Sequence, residues 1–270
     1  MKNTVRKGSR TIKDIPDDIL QRLNRGEEET VNLVEWLAVN QRLLLENVLK
    51  ALNRKNYSNP IIEEINSLKK QSVNTLQETI GIGLLKQSAV NRDPELMALI
   101  SAHGSDVVRC WAAYAIGRNQ EIQIQEKLKH IRTFAADSHF GVREVGWMAI
   151  RPDIAMNLES SISHLSNWVL DANENIRRFA SEATRPRGVW CAHIESLKQN
   201  PQQALNLLEP LKSDSSKYVQ DSVGNWLNDA SKSQADFVIK LCARWRAESL
   251  SKETAYIVKK ALRSLEKQAK

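Results

Sequence analysis

Ser105-Asp106-Val107-Val108-Arg109, His139-Phe140-Gly141-Val142-Arg143, Glu174-Asn175-Ile176-Arg177-Arg178 and Lys217-Tyr218-Val219-Gln220 open four stretches built to one pattern. Each has a polar start, a branched apolar residue, and then a helical period. Val108, Val142, Ile176 and Val219 align at spacings of 34, 34 and 43 residues, and a weaker copy starts near Ile257 and Val258. Apolar or small residues follow at i, i+3, i+4 and i+7, as in Val142, Val145, Gly146 and Ala149, or Ile176, Phe179, Ala180 and Ala183. Such a stripe is the buried face of an amphipathic helix. A further amphipathic segment precedes each copy, over 94–103, 122–136, 158–170, 201–212 and 235–245. Helix pairs recurring every ~34–47 residues indicate a stacked repeat array. The aromatic and proline signature of TPR repeats is absent. The pattern therefore predicts an all-α, HEAT-like helical-repeat solenoid, an α-α superhelix whose second helices line a concave basic face.

Outward from this core the pattern weakens. Residues 15–90 read as degenerate repeats, with a helix start at Ile15-Pro16-Asp17-Asp18 and single long helices over 31–52 and 59–87. Clearer repeats run over 92–270, so 15–270 reads as one repeat domain. Residues 1–14 read as a mobile basic tail offering Lys2, Arg6, Lys7, Arg10 and Lys13 to phosphates. Only 10 Gly and 7 Pro in 270 residues disfavour an all-β chain, which needs a turn every ~10 residues. Apolar stretches such as Ile80 to Leu85 are too short to span a bilayer, and the polar N-terminus does not read as a secretory signal. Cys110, Cys191 and Cys242 are far apart and form no ligand spacing, so reduced thiols in a cytoplasmic protein are expected, without metal or disulfide.

A net charge of +7 favours a polyanionic partner. Counting one, five and nine residues beyond the aligned position gives Arg109, Ala113 and Gly117; Arg143, Trp147 and Arg151; Arg177, Ser181 and Arg185; Gln220, Gly224 and Asn228. These positions share one helix face. Any single arginine there reads better as a solvated surface residue. Recurrence in register draws a basic stripe, with Arg178 and Arg187 close by, that suits a phosphate backbone. The segment Thr184-Arg185-Pro186-Arg187-Gly188-Val189-Trp190 breaks the helix, and its indole is either a packed cap or a stacking surface for a sugar or base. Glu144, Glu182 and Asp229 lie on these otherwise basic helices. An acid in an anion-binding cleft makes sense if it faces the positive charge of a breaking glycosidic bond. The plainer reading is an ion pair such as Glu182 with Arg178.

Ile176-Arg177-Arg178-Phe179-Ala180-Ser181-Glu182-Ala183-Thr184-Arg185-Pro186-Arg187 followed by Trp190 resembles the R-R-L-A-S-E-G-x-R-P-R-x-x-W block of AlkC-type DNA alkylation-repair glycosylases. Leu207-Leu208-Glu209-Pro210-Leu211-Lys212-Ser213-Asp214 is similar to the family's L-L-x-x-L-x-x-D segment. Ser222-Val223-Gly224-Asn225-Trp226-Leu227-Asn228-Asp229 is similar to its S-V-A-N-H-L-N-D block. The close likeness spans about residues 173–245. It implies a monofunctional glycosylase, working as a monomer without a cofactor on double-stranded DNA, that releases cationic lesions such as 3-methyladenine, with 3-methylcytosine a second candidate. Carried over by position, Glu182, Trp190 and Asp229 match residues the family uses near the lesion. Three positions depart: Trp147 stands where the family has an acid in E-F-A-I-R-P, Gln220 replaces an Arg, and Trp226 replaces a His. Glu144, almost one turn before Trp147, is the candidate substitute. The expected site is then Asp229, Glu182 and Glu144 as acids, Trp190 and Trp147 against sugar or base, and Arg109, Arg143, Arg151, Arg177, Arg178, Arg185 and Arg187 on the backbone. A DNA-binding repeat protein without catalysis and a protein-binding scaffold are the two competing expectations.

Overall fold

The computed structural model describes residues 6–268, whose regular elements are all helices, with no strand among them. They group into two compact units, one formed by residues up to 121 together with 138–149, the other by 122–137 with 150 onward.

The first unit contains α1 (Asp17–Arg25), α2 (Leu33–Ala38), α3 (Gln41–Ala51), α4 (Ser58–Asn66), α5 (Val73–Val90), α6 (Glu95–Ser101) and α7 (Asp106–Arg118). The two long helices expected here are each broken in two, and caps explain why. Asn40 accepts a hydrogen bond from Leu43 N–H and starts α3 afresh. Ser72 and Thr75 form a reciprocal capping box that starts α5. The tail differs from expectation in its described part. Arg6 donates to Glu28 at 2.7 Å and to both carboxylate oxygens of Glu35 at 2.5 and 2.9 Å, which ties residues 6–14 down. Lys2 lies outside the described residues. Helices α5 and α7 touch through Gly81, where an added Cβ would stand 2.4 Å from Trp111 O and 3.0 Å from Ala115 N. The Gly81→Ala methyl would meet main chain at Trp111 and Ala115 and the Cβ of Tyr114 at 2.9 Å, none of which is the far end of a flexible side chain. It is expected to cost about 1–3 kcal/mol, read as a lower urea midpoint at an unchanged m-value.

The second unit holds α8 (Ile124–Ala135), then, beyond α9 (Phe140–Met156), α10 (Leu158–Leu165), α11 (Glu174–Ala183), α12 (Glu195–Gln199), α13 (Leu205–Leu208), α14 (Lys217–Ser231), α15 (Ala235–Glu248) and α16 (Lys252–Gln268). Helix α9 gives residues 140–149 to the first unit and 150–156 to the second. The helices α7, α9, α11, α14 and α16 are the second helices of the repeats; the first four begin where the aligned copies begin, whereas α16 begins at Lys252, ahead of the start expected near Ile257 and Val258. The segment 201–212 is only partly α-helical, with 3-10 turns at Pro201–Ala204 and Glu209–Leu211 flanking α13, and Pro210 lacks the amide that would continue α13 as a regular helix. No described helix is long and apolar enough to cross a membrane.

Candidate functional site

The recurrent arginines have a structural reason for their register. Arg109 donates from Nη1 to His103 O (2.8 Å) and Gly104 O (3.3 Å), and Arg143 to Ser138 O (2.7 Å). Arg177 donates to Asp171 O (2.8 Å) and Ala172 O (3.0 Å). Gln220 in the fourth copy does the same with Asp214 O (2.8 Å) and Ser215 O (3.4 Å). Each side chain reaches back five or six residues and braces the turn between the paired helices. An amide does this as well as a guanidinium, which accounts for Gln220. Arg109 also pairs with Glu29 at 2.5 Å, and Arg177 holds Asp214 with two bonds of 2.7 and 2.9 Å. Arg109, Arg143 and Arg177, expected on the DNA backbone, brace these turns, which gives their repetition a structural reason.

A second recurrence lies in the last turns of the second helices. Arg118 donates to Ala149 O (2.6 Å), Arg151 to Ala183 O (2.7 Å) and Asn228 to Ala261 O (3.1 Å). In each case the acceptor is a carbonyl of the next second helix. Arg151, expected on the DNA backbone, is only 2% exposed, and burial pulls its guanidinium below the ordinary arginine range. It too is an internal link.

Arg185, just beyond the end of α11, occupies the corresponding place and breaks the series. Its Nη1 donates to Glu182 Oε1 (2.7 Å), while Nε and Nη2 both donate to Asp229 Oδ2 on α14 (2.9 and 2.7 Å). All three side chains are buried. Glu182 Oε2 accepts from Ser222 Oγ at 2.7 Å and lies 3.6 Å from Arg178 Nη2, whose guanidinium stacks over Tyr218 at 4.1 Å. Burial alone would raise the Glu182 carboxyl, but Arg178 and Arg185 outweigh it and hold it below the usual carboxylate range. Asp229 Oδ1 accepts from Lys232 Nζ at 3.1 Å, and Lys232 reaches solvent. Arg178 and Arg185 are thus occupied by buried acids and aromatic packing, not by an exposed DNA-facing role. Lys232 and Ser222 were not singled out from sequence. The i+3 spacing of Lys232 from Asp229 was the available signal for the first, and nothing local marked the second.

Between α11 and α12 the chain makes an irregular loop. Ile194 N–H closes it onto Pro186 O (3.0 Å), Trp226 Nε1 donates to Thr184 O at its root (3.0 Å), and Arg187 donates to Ser233 Oγ (2.7 Å) beside Lys232. Trp226, in place of the family's histidine, is a fully buried strut. At the tip Trp190 has φ +58° and is 71% exposed, so its indole is a presented surface and not a packed cap. A left-handed backbone at a bulky residue is strained. Trp147, by contrast, is only 3% exposed in the first unit, and its Nε1 donates to Glu144 at 2.9 Å. The expected contact of Trp147 with a sugar or base is corrected to a packed indole that anchors the Glu144 carboxylate. The structure brings together Glu182, Arg185 and Asp229 in one unit and joins Glu144 to Trp147 in the other. No cluster of three or more His, Cys, Asp or Glu suited to a metal occurs among the described residues.

Residues 147–265, which carry the cluster and the loop, match the sequence profile of the DNA alkylation repair enzyme family. Over this stretch, a little under half of its length, the chain is similar to that family. An uncharacterized protein, YhaZ of Bacillus subtilis (strain 168), is 36% identical over 141 residues, which is 52% of this chain and 37% of that protein. The alkylpurine DNA glycosylase AlkC of Pseudomonas fluorescens, solved bound to DNA containing an abasic site analog, superposes at a TM-score of 0.68 with 23% identity, over 97% of this chain and 66% of that one. AlkD2 from Streptococcus mutans gives 0.58 with 24% identity over 76% of this chain and 97% of its own. These alkylation-repair structures share the helical-repeat fold described above. This chain thus spans little more than a third of its curated relative and about two thirds of AlkC.

Proposed function

We propose that the chain is a monofunctional DNA glycosylase that removes cationic N-alkylated bases, 3-methyladenine foremost, from duplex DNA. The observation that carries this reading is the buried Glu182–Arg185–Asp229 cluster. It stands where the other repeats place a plain backbone link, and it lies beside the anchored loop that presents Trp190. Departures from an otherwise consistent local rule concentrate at functional sites. The profile match over residues 147–265 and the fold shared with AlkC support the same reading.

The two acids have different parts. Glu182 is enclosed, with Arg185, Ser222 and Arg178 around its oxygens, and it sets the position of Arg185. Asp229 is buried as well, but its Oδ1 is held by Lys232, whose side chain reaches solvent and can swing away. A cationic base is already a good leaving group. As its bond to C1′ breaks, the base departs neutral and positive charge passes to the sugar. Asp229 stabilises that oxocarbenium character, and water completes the hydrolysis at C1′. Trp190 supplies a flat apolar surface for sugar or base, while Arg187 and Lys232 meet phosphate oxygens. No cofactor enters. Incubation with methylated duplex DNA is expected to release 3-methyladenine well above a buffer control. Salt-sensitive DNA binding without any base release would instead select the non-catalytic reading.

A further inference from the structure

We propose that Arg151 is a positioning residue for this reaction, holding the loop 184–192 in the shape that presents Trp190. The inference rests on the glycosylase reading and assigns the loop's control to a residue outside it. In the repeat series, one side-chain bond to the next helix is sufficient: Arg118 gives one to Ala149 O, and Asn228 gives one to Ala261 O. Arg151 matches them with its bond to Ala183 O and then makes two more, from Nη2 to Arg185 O and from Nε to Ala192 O (3.2 Å). Both extra acceptors belong to the loop, one at its start and one at its end. The loop backbone also rests on the guanidinium, since a Cβ built on Gly188 would lie 3.0 Å from Arg151 Cζ and 2.3 Å from Cys191 Sγ. A strained residue such as Trp190, at φ +58°, keeps its conformation only where the surroundings over-determine it. The planar fork of a buried arginine fixes two carbonyls at once, which a point-charge lysine cannot do.

Arg151→Gln separates the two roles, because an amide serves the repeat link as Asn228 does but cannot fork. Arg151→Lys, which keeps the charge and one donor, is measured beside it. Both variants are expected to exchange the Ile194 amide proton at least about tenfold faster, with exchange in α14 unchanged. With methylated DNA, kcat is expected to fall about 10–100-fold with KM altered less than about threefold, as for a displaced contact group. Because Arg151 acts through the indole, Arg151→Gln combined with Trp190→Ala should be no slower than Trp190→Ala alone. Independent, multiplying losses would overturn the proposal, as would unchanged protection of Ile194 in both variants. If the unmodified protein releases no base, the glycosylase reading falls, and the exchange measurement still decides whether Arg151 holds the loop.

Discussion

Asp229→Asn is expected to lower the rate of 3-methyladenine release by about 100-fold or more while leaving DNA affinity within about threefold. The substitution removes one negative charge and almost no volume. The carboxamide oxygen still accepts a bond from Arg185, so the cluster keeps its geometry. What is lost is the full charge opposite a sugar that turns cationic only as its base departs. Removing one well-placed electrostatic partner from a water-poor site costs on the order of 10²–10³ in rate. Because the ground-state sugar is neutral, binding should barely register the change. Single-turnover base release and equilibrium binding at one salt concentration check both halves. Equal losses of rate and affinity would show that Asp229 serves DNA binding or folding, and no loss of rate would remove it from the chemistry.

The second large effect is on stability. Arg185→Met leaves Glu182 and Asp229 buried on one spot with their shared cation gone. Stranding buried charge in this way costs about 3–5 kcal/mol at neutral pH. The pH dependence follows from Glu182. Its folded carboxyl titrates below the ordinary range, so its contribution is complete above the unfolded value near 4.5 and is lost as pH falls through the folded one. In Arg185→Met one of the two cations that oppose burial is absent, only Arg178 remains, and Glu182 takes up its proton at a higher pH. The gap in unfolding free energy between the two proteins should therefore narrow on going from pH 7 to pH 4. Urea titrations at the two pH values measure it. A gap that stays constant would mean that lost packing, not charge, explains the variant.

The repeat was legible because its cause is local: a helical stripe that must be buried shows at i, i+3, i+4 and i+7 wherever it occurs. Glu182, Asp229 and Arg185 were legible as charged residues on a basic face, but not as one cluster. Arg185 and Asp229 are 44 positions apart, and only the stacking of α11 on α14 makes them partners. For Arg143 and Arg177 the sequence showed a recurrence but not its structural cause. Recurrence in register shows that a side chain does the same thing in each copy, without saying whether that thing faces inward or outward. The long helices expected over 31–52 and 59–87 failed at Asn40 and Ser72, where caps override apolar periodicity.

The turn braces at Arg109, Arg143, Arg177 and Gln220 have a kinetic consequence. Each closes a ring of only five or six residues, so little chain entropy is lost before the bond forms. Helical hairpins stapled by such short-range bonds can assemble independently and early, ahead of the distant contact between Arg185 and Asp229. On this order of events the scaffold folds from many starting points, and the ionic centre closes late, once its neighbours are already in place.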